Sequence, residues 1–174
     1  EPARPTARTA FAAARRGALG PAALDALSSG DQAVAAFLRG VDFFVQGQND
    51  RALQQLQVAM QQAPTFAPAR LYFGAALATA GRHRDAAGLL ASVDGEVAGT
   101  APVARMAALS WLHAGSATNA IASLEKAHES GDTAGARTLA LAYVAAHRHA
   151  DALPLLASHL EAAPNDREAL LAGV

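Results

Sequence analysis

The sequence predicts an all-α protein: a right-handed α-solenoid of stacked antiparallel helix pairs, about four repeats long, with capping helices at its N-terminal end. Three observations carry this expectation. Ala and Leu dominate, Arg supplies nearly all the positive charge, and β-branched residues are scarce, which is the composition of helices. A 34-residue frame opened at Ala33 recurs at Ala67 and Ala101, and again at Thr133 after a shorter gap, with residue sizes that agree column by column. Glycine interrupts the frame at one fixed position, as a helix terminator would.

The N-terminal segment, residues 1–32, fits the frame poorly. Thr9 to Arg16 and Pro21 to Leu27 are predicted as short helices separated by Gly17 to Gly20, with Pro21 at a helix start. Two readings stay open for it: a degenerate helix pair that caps the stack, or an Ala-rich segment lying in the groove as a pseudo-ligand. The chain opens at Glu1-Pro2 without an initiating Met, a charged n-region or an apolar h-region, so no signal peptide is visible.

The repeats follow, at 33–66, 67–100, 101–132 and 133–164. Position 8 of the frame is small in every copy (Gly40, Gly74, Ala108, Ala140), and position 20 is always alanine (Ala52, Ala86, Ala120, Ala152). Position 11 is large (Phe43, Leu77, Trp111, Tyr143) and position 24 is always leucine (Leu56, Leu90, Leu124, Leu156). Small residues at 8 and 20 let two helix backbones approach, and the large ones fill the space beside that contact. Position 15 is Gly47, Gly81, Gly115 and then His147, and it predicts an αL cap on the first helix. Pro64 and Pro164 close second helices. The second repeat lacks that proline and runs through Asp94 to Thr100, predicting a longer loop there. Pro154 falls early in the last second helix, where a missing N–H costs little. Asn165-Asp166 is the cap of a further helix that begins at Arg167 and stops at Val174, so the chain is expected to be a piece of a longer protein.

The pattern resembles the tetratricopeptide repeat family. Gly40, Phe43, Gly47, Ala52, Leu56, Ala59 and Pro64 carry it in the best copy, and the resemblance covers residues 33–164. It implies that function lies on the concave surface formed by first helices. The residues placed there are Phe37, Val41, Phe44, Leu71, Arg105, Leu109, Leu112, Arg137, Leu141 and Val144, with positions 9 and 12 apolar in every copy. A large apolar side chain gains about 1.5–3 kcal/mol on being covered, so this stripe is expected to have an occupant. A competing reading makes the same residues core, packed against one another in a tightly wound stack. Co-chaperones of the family hold a C-terminal carboxylate with Lys and Asn on these helices. Here Phe37, Val41 and Phe44 stand at the corresponding places, so no clamp of that kind is expected. Arg105 and Arg137, both at position 5, are expected either to meet an acidic group together or to remain solvated.

No chemistry of another kind is legible. The 14 basic and 15 acidic residues nearly cancel, which argues against a nucleic-acid footprint, and there is no cysteine for a disulfide or thiolate site. No apolar run reaches the roughly 20 residues of a membrane span. Motifs for zinc hydrolases, nucleophile elbows, phosphate loops and calcium loops are missing. His147 and His149 are two apart, and no histidine pair has the three- or four-residue spacing that would put two ligands on one helix face. Asp50, Asp85 and Asp151 recur at the starts of second helices, where the helix dipole favours them. The expected function is a non-enzymatic scaffold that binds an apolar helix or peptide of a protein partner, with no catalytic residue, metal or cofactor. The alternative is a structural spacer in a larger bacterial protein, its groove filled by residues 1–30 or by a continuation of the chain. The single lysine among 14 basic residues suggests a GC-rich bacterial coding sequence, and the segment is expected in cytoplasm or periplasm.

Overall fold

The computed structural model describes residues 7–18, 20, 31–93, 100–129 and 134–172. Every regular element among them is an α-helix: α1 (Ala7–Ala14), α2 (Gln32–Val45), α3 (Asn49–Gln62), α4 (Ala67–Thr79), α5 (His83–Ser92), α6 (Thr100–His113), α7 (Ala117–Glu129), α8 (Ala136–Ala145), α9 (His149–Ala162) and α10 (Arg167–Ala172). The fold class is all-α helical repeat. The chain forms two compact units, residues 1–82 and 83–174. The helix expected over Pro21 to Leu27 and the loop expected over Asp94 to Gly99 lie outside the described residues.

The turn after each first helix has the same construction. At the end of α2, Gly47 takes φ +75°; its N–H donates to the Phe44 carbonyl at 3.1 Å, and the Gln48 N–H reaches the Phe43 carbonyl at 2.9 Å. These two bonds satisfy carbonyls that the last helical turn leaves unpaired. Gly81 and Gly115 repeat the turn at φ +76° and +75°, with Arg82 N–H on Leu77 at 2.9 Å and Ser116 N–H on Trp111 at 2.8 Å. His147 replaces glycine at φ 59°, and the Arg148 N–H still meets the Tyr143 carbonyl at 2.8 Å. An L side chain in this conformation costs about 1 kcal/mol or more, so packing around α8 and α9 imposes it.

The same turn ends α1. Gly17 takes φ +63°, Gly17 N–H donates to Ala14 and Ala18 N–H to Ala13. The segment before α2 therefore contributes a first-type helix, two residues displaced from the Thr9 to Arg16 that the sequence suggests. Ala10 and Ala14 on it are buried, and its Gly17 carbonyl accepts from the Gln46 side chain at 3.3 Å.

In the first unit α2 and α3 form an antiparallel hairpin. Asp31 caps its start, accepting the Ala33 and Val34 N–H groups, as a short carboxylate at a helix N-cap does. Ala52, Leu56 and Ala59 of α3 are fully buried. Gly40 faces Leu56 closely: a Cβ at Gly40 would lie 2.5 Å from Leu56 Cγ and 3.2 Å from its backbone nitrogen. In the first repeat, position 8 is glycine because Leu56, at position 24, occupies the volume a side chain would need.

The second unit repeats the arrangement. Ala86, Ala120 and Ala152 are buried, as are Leu90, Leu124 and Leu156. Pro154 is the sixth residue of α9 and forgoes the bond to the Ala150 carbonyl; both residues are exposed, so water can take that place. Beyond Pro164, Asp166 accepts the Ala169 N–H and caps α10. Ala169 is buried beneath α10, whereas Leu170 and Leu171 are 45% and 77% exposed.

Replacing Gly40 by Ala tests this packing. Ala gains about 1 kcal/mol in helix propensity, but overpacking a filled core costs about 1–3 kcal/mol. Leu56 is fully buried and has nowhere to go, so Gly40→Ala should lower the urea midpoint, by a net 1 kcal/mol or so in stability. An unchanged or higher midpoint would contradict the contact.

Candidate interaction surface

The first unit buries much of what the sequence placed on an open face. Phe37 and Val41 are 4% and 0% exposed and belong to the core. Phe37 lies edge-on to Phe66 at 5.0 Å and to Tyr72 at 5.7 Å, and is stacked on Phe11 at 5.7 Å. Phe11 also meets Tyr72 at 6.2 Å, so α1 covers residues of both α2 and α4. Phe44 is half-buried, edge-on to Tyr72 at 6.2 Å, and Leu71 is half-buried as well. Phe37 and Val41, placed on the concave face from the sequence, are covered by the chain itself. Offset and edge-on rings add about 0.5–1.5 kcal/mol per pair beyond area burial, which is why the cluster holds α1 in place. The repeat columns do not single out Phe11 or Tyr72; the signal available in the sequence is aromatic enrichment among residues 11–73.

The second unit keeps its equivalent face more open. Leu109 is 42% exposed, and Leu112, Leu141, Val144 and Arg105 are half-buried. Leu109 and Leu112 are three apart on α6, and Leu141 and Val144 three apart on α8, so each pair shares a helix face. The two helices are neighbours in the unit.

Arg137 does not wait for an outside acid. Its Nε donates to Asp166 Oδ2 at 2.6 Å, and its Nη2 to Glu168 Oε2 at 2.6 Å and Asp166 Oδ1 at 3.4 Å. His159 Nε2 adds a contact to Asp166 Oδ2 at 2.9 Å. The Arg137 guanidinium first, then His159 and the Ala169 N–H, hold the Asp166 carboxyl far below the usual carboxylate range. Arg137, placed with Arg105 at position 5, docks α10 onto α8 and α9.

A second polar cluster fastens the α8–α9 turn to α7. The Tyr143 hydroxyl donates to Glu125 at 2.8 Å, and the Arg148 guanidinium stands over the Tyr143 ring at 4.5 Å. Arg148 also pairs with Asp151 at 2.8 Å and Glu125 at 3.5 Å. Burial, and then the Glu125 carboxylate, push the Tyr143 hydroxyl up to about 12. The large residue of position 11 here carries a polar tip that finds a partner. Among the described residues no group of three or more His, Asp or Glu side chains forms a metal cage, and no helix is long and apolar enough to cross a membrane.

The tetratricopeptide repeat family model matches residues 44–109. The chain carries tetratricopeptide-like repeats. No curated protein sequence matches it. Among solved structures, MamA AMB-1 is similar in two crystal forms at 20% identity: one covers 89% of this chain and 95% of its own with TM-score 0.72, the other 94% and 93% with TM-score 0.74. TTC0263, a thermophilic tetratricopeptide repeat protein in Thermus thermophilus, is similar at 21% identity over 95% of this chain and 96% of its own, with TM-score 0.60. The tetratricopeptide-like chain shares with them an all-α helical-repeat solenoid fold.

The Arg137 cluster has a pH signature. The folded Asp166 pKa lies below the unfolded value of about 3.9, so its stabilisation is present above that pH and is lost as pH falls through the folded value. Asp166→Asn should melt at lower temperature than the native chain at about pH 5, and the gap should narrow steadily below about pH 4. Equal melting temperatures at pH 5 would show that the cluster does not hold α10.

Proposed function

We propose that the protein is a non-enzymatic interaction scaffold that takes an apolar helix or peptide of a protein partner on the second unit, along Leu109 and Leu112 of α6 and Leu141 and Val144 of α8. The observation that carries this reading is the exposure of Leu109, at 42%, in a column whose counterpart in the first unit, Val41, is fully buried. Two helices side by side with apolar residues three apart offer a shallow groove, and an amphipathic helix laid into such a groove is a recurrent mode of recognition. Arg105, one turn before Leu109 on α6, would orient an acidic end of that partner. Phe44 and Leu71, half-buried in the first unit, offer a smaller apolar contact there. Phe37, Val41 and Arg137 serve packing and the docking of α10.

A second reading has an observation of its own. Phe11 of α1 stacked on Phe37 supports intramolecular filling of the inner columns, as a spacer domain would use, and this reading applies to the first unit.

Photo-crosslinking separates the two for the second unit. With a crosslinking amino acid at 109, amphipathic peptides selected against the native chain should be captured. Leu109→Asp should abolish their binding while stability changes by less than about 1 kcal/mol, since residue 109 is a surface position. Undiminished peptide binding by a folded Leu109→Asp chain would refute the proposed face.

A further inference from the structure

Arg137, Leu141 and Val144 fall at i, i+4 and i+7 on α8, so one stripe of the helix carries all three. Arg105, Leu109 and Leu112 repeat that spacing on the neighbouring α6. Each stripe therefore has an arginine one turn before its apolar pair. In the first unit the place of Arg137 belongs to Phe37, which the Phe66 ring closes at 5.0 Å; in the second, Asp166 stands where Phe66 does. A ring contact is indifferent to the charge of a visiting molecule, whereas one ion pair can be exchanged for another.

The two carboxylates on Arg137 are not held alike. The Asp166 side chain is 19% exposed and also meets His159 Nε2 and the Ala169 N–H, so it is built into the start of α10. The Glu168 side chain is 68% exposed, and among the described residues its partner is Arg137 Nη2 at 2.6 Å. An exposed pair of this kind adds little stability and is screened by salt, so a second carboxylate can compete for its place. The Arg137 side chain is itself 32% exposed and open to such a competitor.

We propose that Glu168 is an internal competitor of the partner: in the free chain it occupies Arg137 Nη2, and a carboxylate on the docked helix takes its place while Asp166 stays bound to Nε. The partner is then an amphipathic helix with an acidic residue about one turn outside its apolar anchors. This rests on the reading of Leu109, Leu112, Leu141 and Val144 as the docking face. Glu168 weakens the binding of acidic partners and has no effect on a partner that is neutral at that place. One ion pair is exchanged for another and the released Glu168 side chain returns to water, so no charge is left buried without a partner.

The test uses the full chain and the amphipathic peptides selected against it, each synthesised in two forms, with Glu or with Gln one turn outside the apolar residues at both ends. Affinities are measured by fluorescence anisotropy for the native chain and for Glu168→Gln. The variant should bind the Glu form at least about threefold more tightly than the native chain does, and the Gln form within about twofold of it. In about 0.5 M NaCl the gain on the Glu form should shrink, as screening requires. A loosened α10 would change both forms alike, so the Gln form reports any structural effect of the substitution. Equal affinity of the native chain and the variant for the Glu form, or a parallel change in both forms, would overturn the competition and leave the docking face standing. A selection that yields no binding peptide, or peptides that bind Leu109→Asp as well as the native chain, would remove the face and the competition with it.

Discussion

The left-handed residue that ends each first helix is the constraint on which the rest of this structure depends. Once Gly47, Gly81, Gly115 and His147 turn the chain at the same frame position, the next helix starts within three residues and leaves in one direction. That fixed exit aligns the columns. Ala52, Ala86, Ala120 and Ala152 then reach the same buried place, and Leu56, Leu90, Leu124 and Leu156 follow one helical turn on. A turn of another geometry would rotate the second helix and bring polar residues such as Gln54 or Arg84 to the buried side. The same turn at Gly17, where the frame itself fades, shows that the backbone device outlasts the residue columns.

The two units use one hairpin design for different ends. Aromatic residues concentrate in the first, and Phe11, Phe37, Phe66 and Tyr72 meet as a cluster that seals α1 over α2 and α4. The second unit carries Arg137 and Asp166 at the frame positions of Phe37 and Phe66, and joins its outer helix by charge, through Arg137, Asp166 and Glu168. A charge-assisted contact holds α10 without covering the face of Leu109. Apolar sealing closes a surface, whereas an ion pair at its margin leaves it open.

Local features of this fold are legible in the sequence because each is decided within a few residues. Glycine at position 15, the Asp166 cap and the alternating column sizes depend on neighbours in the same turn. What covers a helix face is decided elsewhere. Phe37 and Val41 have the same apolar character as Leu109 and Leu112, yet Phe37 is buried among Phe11, Phe66 and Tyr72 and Val41 within the same core, while Leu109 stays exposed. Arg137 finds its carboxylates 29 and 31 residues on, and His83 finds His113 across a pair of helices, at separations no spacing rule anticipates. Column sizes alone pair the small residue of position 8 with alanine at position 20; in the first repeat Gly40 also makes room for Leu56 at position 24.

The His147→Gly substitution probes the turn directly, because His147 alone among the described non-glycine residues takes a positive φ. Relieving an L side chain of αL strain should raise the urea midpoint of the chain, by about 1 kcal/mol in stability less the small entropic cost of glycine in the unfolded state. A lower midpoint would contradict the account, since it would mean that the His147 side chain, rather than the backbone turn, holds α8 and α9 together.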